Sequence, residues 1–263
     1  MKQLWEKHWT EKAASDFFDI INRDPYYRLL KRLIELPEDR KLKIIEIGCG
    51  SGARTLSLLK EFPSFRLDVI LVDYSKTALR YAQKNAEKNK VVANFVLADA
   101  FNLPFSRETF DIAWNEGVNE HFVGLKRFLI FEEMIRVAKE RGQVIVIVPN
   151  ALNIPYQMRK RILQSLRSWE YGFEKPFSIF ELKNILESLN TIPVKFGGVI
   201  VLTSFLELMP TKVVIDKILS GKVKKQSGGL RARMVGIEID IENIFGCILG
   251  RNIGITVIKV KQK

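Results

Sequence analysis

The chain is poor in the residues that build metal and disulfide frameworks. Its 263 residues include two cysteines, Cys49 and Cys247, and two histidines, His8 and His121. Four such scattered residues do not make a zinc set, and arithmetic allows one disulfide at most. A reducing, cytoplasmic setting is the simpler expectation. An uninterrupted apolar run of about 18 residues is also missing, so no membrane-spanning helix is expected. The start, Met1-Lys2-Gln3-Leu4-Trp5-Glu6-Lys7-His8, is polar and lacks the apolar core of a secretory signal. Acid is in deficit: 30 Asp+Glu face 42 Lys+Arg, for a net charge of +12. That excess favours anionic partners at long range, namely phosphate esters, carboxylates, nucleic acid or anionic lipid, and carries no information about fold. The plainer reading is a lysine-rich soluble surface.

What is present is an ordinary globular balance, 47% hydrophobic and 27% charged. A chain of this length can bury a sizeable core without metals or disulfides. Residues 1–40 are amphipathic and aromatic (Trp5, Trp9, Phe17, Phe18, Tyr26, Tyr27) and read as two helices broken near Asp24-Pro25. From residue 41 to 150, short β-branched runs alternate with helical spacing. Strands are expected at Lys43–Ile47, Leu67–Val72, Asn94–Leu97, Phe110–Trp114 and Gln143–Val148. Helices are expected at Ala53–Glu61, Lys76–Lys88 and Leu125–Ala138. This alternation implies a parallel sheet covered on both faces. Beyond residue 150 come helices at Tyr156–Ser168 and Ser178–Leu189, a strand at Val194–Leu202 and a last strand at Gly254–Val260. An apolar and basic insertion at 204–249 reads as a lid, a homodimer surface or a membrane-contacting element. The whole is one α/β domain, doubly wound, with a sheet of about seven mostly parallel strands.

The sharpest local signal is Glu46-Ile47-Gly48-Cys49-Gly50-Ser51-Gly52-Ala53, which follows a strand and opens a helix. Glycines there let the chain turn tightly and let a ligand approach the main chain. Two further acids end the next strands, Asp73 in Val72-Asp73-Tyr74-Ser75 and Asp99 in Leu97-Ala98-Asp99-Ala100. Three successive strands therefore each carry an acid to one edge of the sheet. That edge is where open α/β sheets bind ligands.

With Leu103-Pro104-Phe105, Asn115-Glu116-Gly117-Val118-Asn119-Glu120-His121-Phe122, Arg136-Val137, Gly142-Gln143-Val144-Ile145 and Val148-Pro149-Asn150, this segment resembles the class I S-adenosylmethionine-dependent methyltransferases. The resemblance covers roughly residues 43–150. It implies a seven-stranded Rossmann-like sheet whose last strand inserts antiparallel, and S-adenosylmethionine as methyl donor, with S-adenosylhomocysteine as product. It further implies that Gly48, Cys49, Gly50 and Gly52 lie against the methionine part and sugar, with Glu46 beside the amino group. Asp73 would take the ribose hydroxyls, Tyr74 would flank the adenine, and Asp99 and Ala100 would hold the ring edge. Asn115 and Glu116 would face the methyl donor.

The same loop also fits G-x-G-x-x-A, and Tyr156-x-x-x-Lys160 has the spacing of short-chain dehydrogenases. On a helix that spacing puts the phenol and ammonium on one face. Against a dehydrogenase, the glycine loop begins late in the chain, and the serine that such enzymes place before the Tyr is missing. Among methyltransferases, Asn115-Glu116-Gly117-Val118 lacks the double-proline signature of amino-group enzymes. No cysteine follows proline, as cytosine-C5 enzymes require. The Leu103-Pro104-Phe105 and Glu120-His121 segments resemble the branch acting on small molecules, including quinone, lipid and sugar intermediates. An RNA or protein acceptor recognised by the basic surface is the alternative. On the acceptor side, His121 and Glu116 are candidate catalytic groups, His121 as base. Trp169 and Tyr171 are candidate walls of an apolar, water-excluding pocket.

Overall fold

A computed structural model describes residues 2–11, 24–201, 238–241 and 251–260. Seven helices are present among them: α1 (Lys2–Glu11), α2 (Pro25–Leu33), α3 (Ala53–Glu61), α4 (Lys76–Asn89), α5 (Leu125–Val137), α6 (Ile154–Ser165) and α7 (Ile179–Ser188). The strands are β1 (Leu42–Ile47), β2 (Leu67–Asp73), β3 (Asn94–Leu97), β4 (Phe110–Glu116), β5 (Ala138–Pro149), β6 (Thr191–Val201), β7 (Glu238–Ile241) and β8 (Asn252–Lys259).

All eight described strands join in one sheet, ordered β3-β2-β1-β4-β5-β8-β6-β7. β1 pairs parallel with β2 and β4, and β5 parallel with β4, whereas β8 runs antiparallel between β5 and β6. This is the expected seven-stranded, mostly parallel sheet with the last strand inserted antiparallel. An eighth strand, β7, is added at the edge, antiparallel to β6. β7 is the described part of the 204–249 insertion; the rest of it, with Cys247, lies outside the described residues. The strand order reverses between β1 and β4, leaving a crevice at their carboxyl ends.

Local chemistry explains the helix starts. Ser75 accepts from Ala78 N at 3.1 Å to cap α4, and Ser178 accepts from Glu181 N at 3.1 Å to cap α7. Asp24 and Asn153 cap α2 and α6, each helix carrying proline in its first turn. Two buried layers flank the sheet. One joins α2, α3 and α4 to β1 and β4 through Leu30, Leu33, Leu56, Leu79, Ile44 and Trp114; the other joins α5 and α7 through Phe131, Met134, Phe177, Leu182 and Leu186. α2 packs closely where side chains are missing: a Cβ on Gly197 would come within 2.7 Å of Leu29, and one on Gly254 would meet Leu33 and Leu29. β5 starts at Ala138 rather than Gln143, because a register shift opposite β4 between Phe110 and Ile112 lets the extra residues join the strand.

Candidate active site

The glycine loop closes over the end of β1. Gly48 N and Cys49 N both donate to Val72 O, at 2.8 and 2.9 Å, so the loop is tied to β2. Gly50 has φ 54° and Gly52 φ 66°, a left-handed conformation that glycine adopts without strain. Asp73 receives Gly50 N on Oδ2 and Ser75 N on Oδ1, both at 2.9 Å. Its carboxylate thus orders the loop and the start of α4 together. Burial raises its pKa, partly offset by these backbone donors. A Cβ on Gly50 would lie 2.5 Å from the ring of Trp9, which packs against the loop from α1.

Glu46 is 5% exposed and its Oε2 has no hydrogen-bond partner among the described residues. Burial pushes its pKa up to about 8, opposed by a hydrogen bond from Thr55 and by the nearby Arg54. Thr55 in turn accepts from Trp114 Nε1 at 3.1 Å. Arg54, in the first turn of α3, lies 3.0 Å from Glu116 Oε2 and 3.0 Å from Asp24 Oδ2, and its guanidinium stands 5.3 Å from the Tyr26 ring centre. Burial raises the Glu116 pKa to about 7 despite Arg54. The cavity therefore holds carboxyl groups that a cation would draw into their charged form.

On the far side, a short 3-10 turn, Asn119–His121, carries His121 into the cavity wall. His121 Nδ1 lies 2.7 Å from the carbonyl oxygen of Phe173. A carbonyl only accepts, so Nδ1 carries the proton of the neutral ring and Nε2 carries the lone pair. Burial holds the imidazole below its usual pKa, which keeps it neutral near pH 7. Its Nε2 is 3.9 Å from Glu120 Oε1, and burial pushes the Glu120 carboxyl well up, toward its neutral form. The Trp5 ring meets His121 edge-on at 4.9 Å. Rings continue from Trp5 to His8 at 5.2 Å, from His8 to Tyr171 at 5.9 Å, and from Tyr171 to Trp169 at 5.2 Å.

These groups face one cavity of about 1130 Å³ at the β1/β4 crevice. Small-ligand sites run to ~1,000 Å³, so the cavity is at the upper end of that range. Of the residues singled out from sequence, Glu46, Gly48, Cys49, Gly50, Asp73, Tyr74, Asp99, Ala100, Glu116, His121, Trp169 and Tyr171 line it. Gly52 and Asn115 do not. Gly52 backs onto Leu71, Leu56 and Ala82 in the core. Asn115 is fully buried with its amide on Asn119 Oδ1 at 2.6 Å and Met134 Sδ at 3.3 Å, toward α5. Strand side chains alternate faces, so Glu116 turns to the cavity and Asn115 away. Sequence reasoning missed Trp5, His8 and Trp9 of α1, for which the aromatic density of the first helix was the one advance signal, and also Arg54 and Glu174; Tyr156, singled out for its spacing from Lys160, lines the cavity as well.

Comparison with known proteins fits this geometry. A methyltransferase-domain family model matches residues 38–190. Tocopherol O-methyltransferase of Arabidopsis thaliana is 26% identical over 163 residues, covering 55% of this chain and 45% of that protein. A ubiquinone biosynthesis O-methyltransferase of Bartonella tribocorum is 30% identical over 182 residues, covering 67% of this chain and 66% of that one. The match spans under half the length of the first curated relatives. Among solved structures, a SAM-dependent methyltransferase of Thermotoga maritima superposes with a TM-score of 0.63 at 17% identity, covering 98% of this chain and 99% of that one. Another, from Methanosarcina mazei, gives 0.55 at 17%, covering 89% and 98%. At such identities these two speak for the fold alone. Fold, glycine loop and strand-end acids define a class I S-adenosylmethionine-dependent methyltransferase. The chain belongs to the methyltransferase-domain family.

Proposed function

We propose that the chain methylates a hydroxyl oxygen of a small, partly apolar acceptor, and that His121 is the base that takes the hydroxyl proton. S-adenosylmethionine, when bound, supplies an electrophilic methyl group on a sulfonium. The residues present suit it: Glu46 offers a buried, unpartnered oxygen to an ammonium, and Asp73 and Asp99 stand at the cavity edge as acceptors for hydroxyl and amino groups. No helix among the described residues is long and apolar enough to cross a membrane.

The observation that carries the reading is the His121 geometry, a neutral imidazole in the cavity wall with Nδ1 committed to Phe173 and Nε2 left as the basic atom. Trp5, Trp169 and Tyr171 give an apolar wall that excludes water and fits a flat acceptor. Arg159, Arg167 and Arg251 line the same cavity and suit an acceptor bearing an anionic group. Two O-methyltransferases among the relatives, named for tocopherol and ubiquinone biosynthesis, support oxygen as the accepting atom. The test is transfer of isotope-labelled methyl from S-adenosylmethionine into a small-molecule extract, with products identified by mass. Label in a phenolic or other hydroxyl product, lost in His121→Ala, supports the reading. Label in RNA or protein alone overturns it.

A further inference from the structure

Tyr156 and Lys160 lie one turn apart on α6, on the face turned toward the connection between α6 and α7. Both are buried, at 5% and 7% exposure, and both meet the carboxylate of Glu174. Tyr156 Oη lies 2.8 Å from each Glu174 oxygen. Lys160 Nζ donates to Glu174 Oε1 at 3.1 Å and also to the Glu174 backbone carbonyl. Glu174 is thus gripped by side chain and main chain together.

The neighbours of Glu174 hold the catalytic turn. Phe173 supplies the carbonyl that receives His121 Nδ1 at 2.7 Å, and Lys175 N donates to Glu120 O at 2.7 Å. Farther along, Arg127 binds the Pro176 carbonyl at 3.1 Å and Phe177 N binds Pro149 O at 3.1 Å. The segment 173–175 is therefore pinned on one side by α6 and on the other by the turn bearing His121.

We infer that Tyr156 and Lys160 are positioning residues: through Glu174 they hold the Phe173 carbonyl against His121, which selects the Nδ1–H tautomer and leaves Nε2 unprotonated. This rests on the reading of His121 as the base. The Tyr-x-x-x-Lys pair, which suggested hydride chemistry in the sequence, here builds a clamp rather than a phenolate. Burial and the adjacent Glu174 both raise the phenol's pKa, the opposite of what an acid–base tyrosine requires. A small loosening matters because the two neutral tautomers of imidazole differ little in energy unless a hydrogen bond separates them.

The test is nitrogen NMR of the full chain, uniformly labelled with 15N and saturated with S-adenosylhomocysteine. There are two histidines, and the His121→Ala spectrum assigns the second ring. Wild type is expected to show His121 with a protonated Nδ1 and an unprotonated Nε2 between pH 6.5 and 8. In Lys160→Met and Tyr156→Phe the two nitrogen shifts should converge, as the tautomers mix, while S-adenosylhomocysteine affinity stays within about twofold. Tyr156→Phe removes one oxygen without changing shape and decides the matter if Lys160→Met fails to fold. An Nε2–H ring in wild type, or an unchanged Nδ1–H ring in folded Tyr156→Phe, would overturn the inference. The readout is independent of turnover. Full turnover in His121→Ala would sink the base reading while leaving the clamp standing.

Discussion

Arg54 Nε stands 3.0 Å from Glu116 Oε2, joining the first turn of α3 to the end of β4 inside the cavity wall. The same guanidinium reaches Asp24 at the start of α2. One cation therefore serves two carboxylates from two other elements. Removing one member of a buried ion pair costs more than the pair contributes, because the remaining charge is left in a poor solvent. With a quarter of the Arg54 side chain exposed, the cost is set below the fully buried case. Arg54→Met should lower unfolding free energy by about 2–3 kcal/mol, and the double variant with Glu116→Gln should recover part of it. Urea titration checks this; equal stability of Arg54→Met and wild type would remove the pair from the account.

Glu46 gives a pH signature. Its folded pKa is pushed up to about 8 by burial, from an ordinary value near 4.5. Between those values the folded state holds a proton that the unfolded state has released. The contribution of Glu46 is then lost as pH rises through that window. Ligand-free Glu46→Gln should therefore show a flatter fall in stability from pH 5 to 8 than wild type. Thermal melts across that range measure it, and parallel pH curves for the two proteins would contradict the burial argument.

A cation entering the same site reverses the sign. The sulfonium and ammonium of S-adenosylmethionine favour ionised Glu46, so binding near pH 7 should release a proton to the buffer. Calorimetric heats in phosphate and in Tris should differ accordingly, and the difference should shrink in Glu46→Gln. Identical heats in both buffers for wild type would mean that Glu46 does not meet the bound cofactor.

His121→Ala should lower methyl transfer by about 10²–10⁴-fold if the imidazole is the general base, with S-adenosylhomocysteine affinity nearly unchanged. In wild type the acceptor-dependent rate should rise with pH through a pKa below about 6.5, because burial disfavours the charged ring. Stopped assays across pH 5 to 8 read both. Loss of cofactor affinity in step with activity would point to a structural role for the ring.

The glycine loop, the acids and the alternation of strands and helices were legible because local spacing determines them. Ser75 and Ser178 cap the expected helices, and β3 has the expected bounds. What was not legible depends on packing between distant segments. Asn115 and Glu116 are adjacent and both polar, and only sheet register decides which meets the cavity. Trp5, His8 and Trp9 reach the site because Glu6 Oε1 accepts Lys76 N at 2.9 Å, docking α1 on the start of α4 across 70 residues of sequence. The roles of Tyr156 and Lys160 depend on Glu174, whose acid carries no local signal of its partners.

The most direct test of the central claim is S-adenosylmethionine binding to wild type and Asp73→Ala, by calorimetry on the full chain. Asp73 holds Gly50 N and Ser75 N, and on the proposed reading its carboxylate takes the ribose hydroxyls. Losing a charge-assisted acceptor costs about 1.5–3 kcal/mol, or roughly 10- to 150-fold in affinity. Wild type is expected to bind one-to-one, and a folded Asp73→Ala to bind more weakly by that factor. Unchanged affinity in the variant, or no binding to wild type, would contradict it.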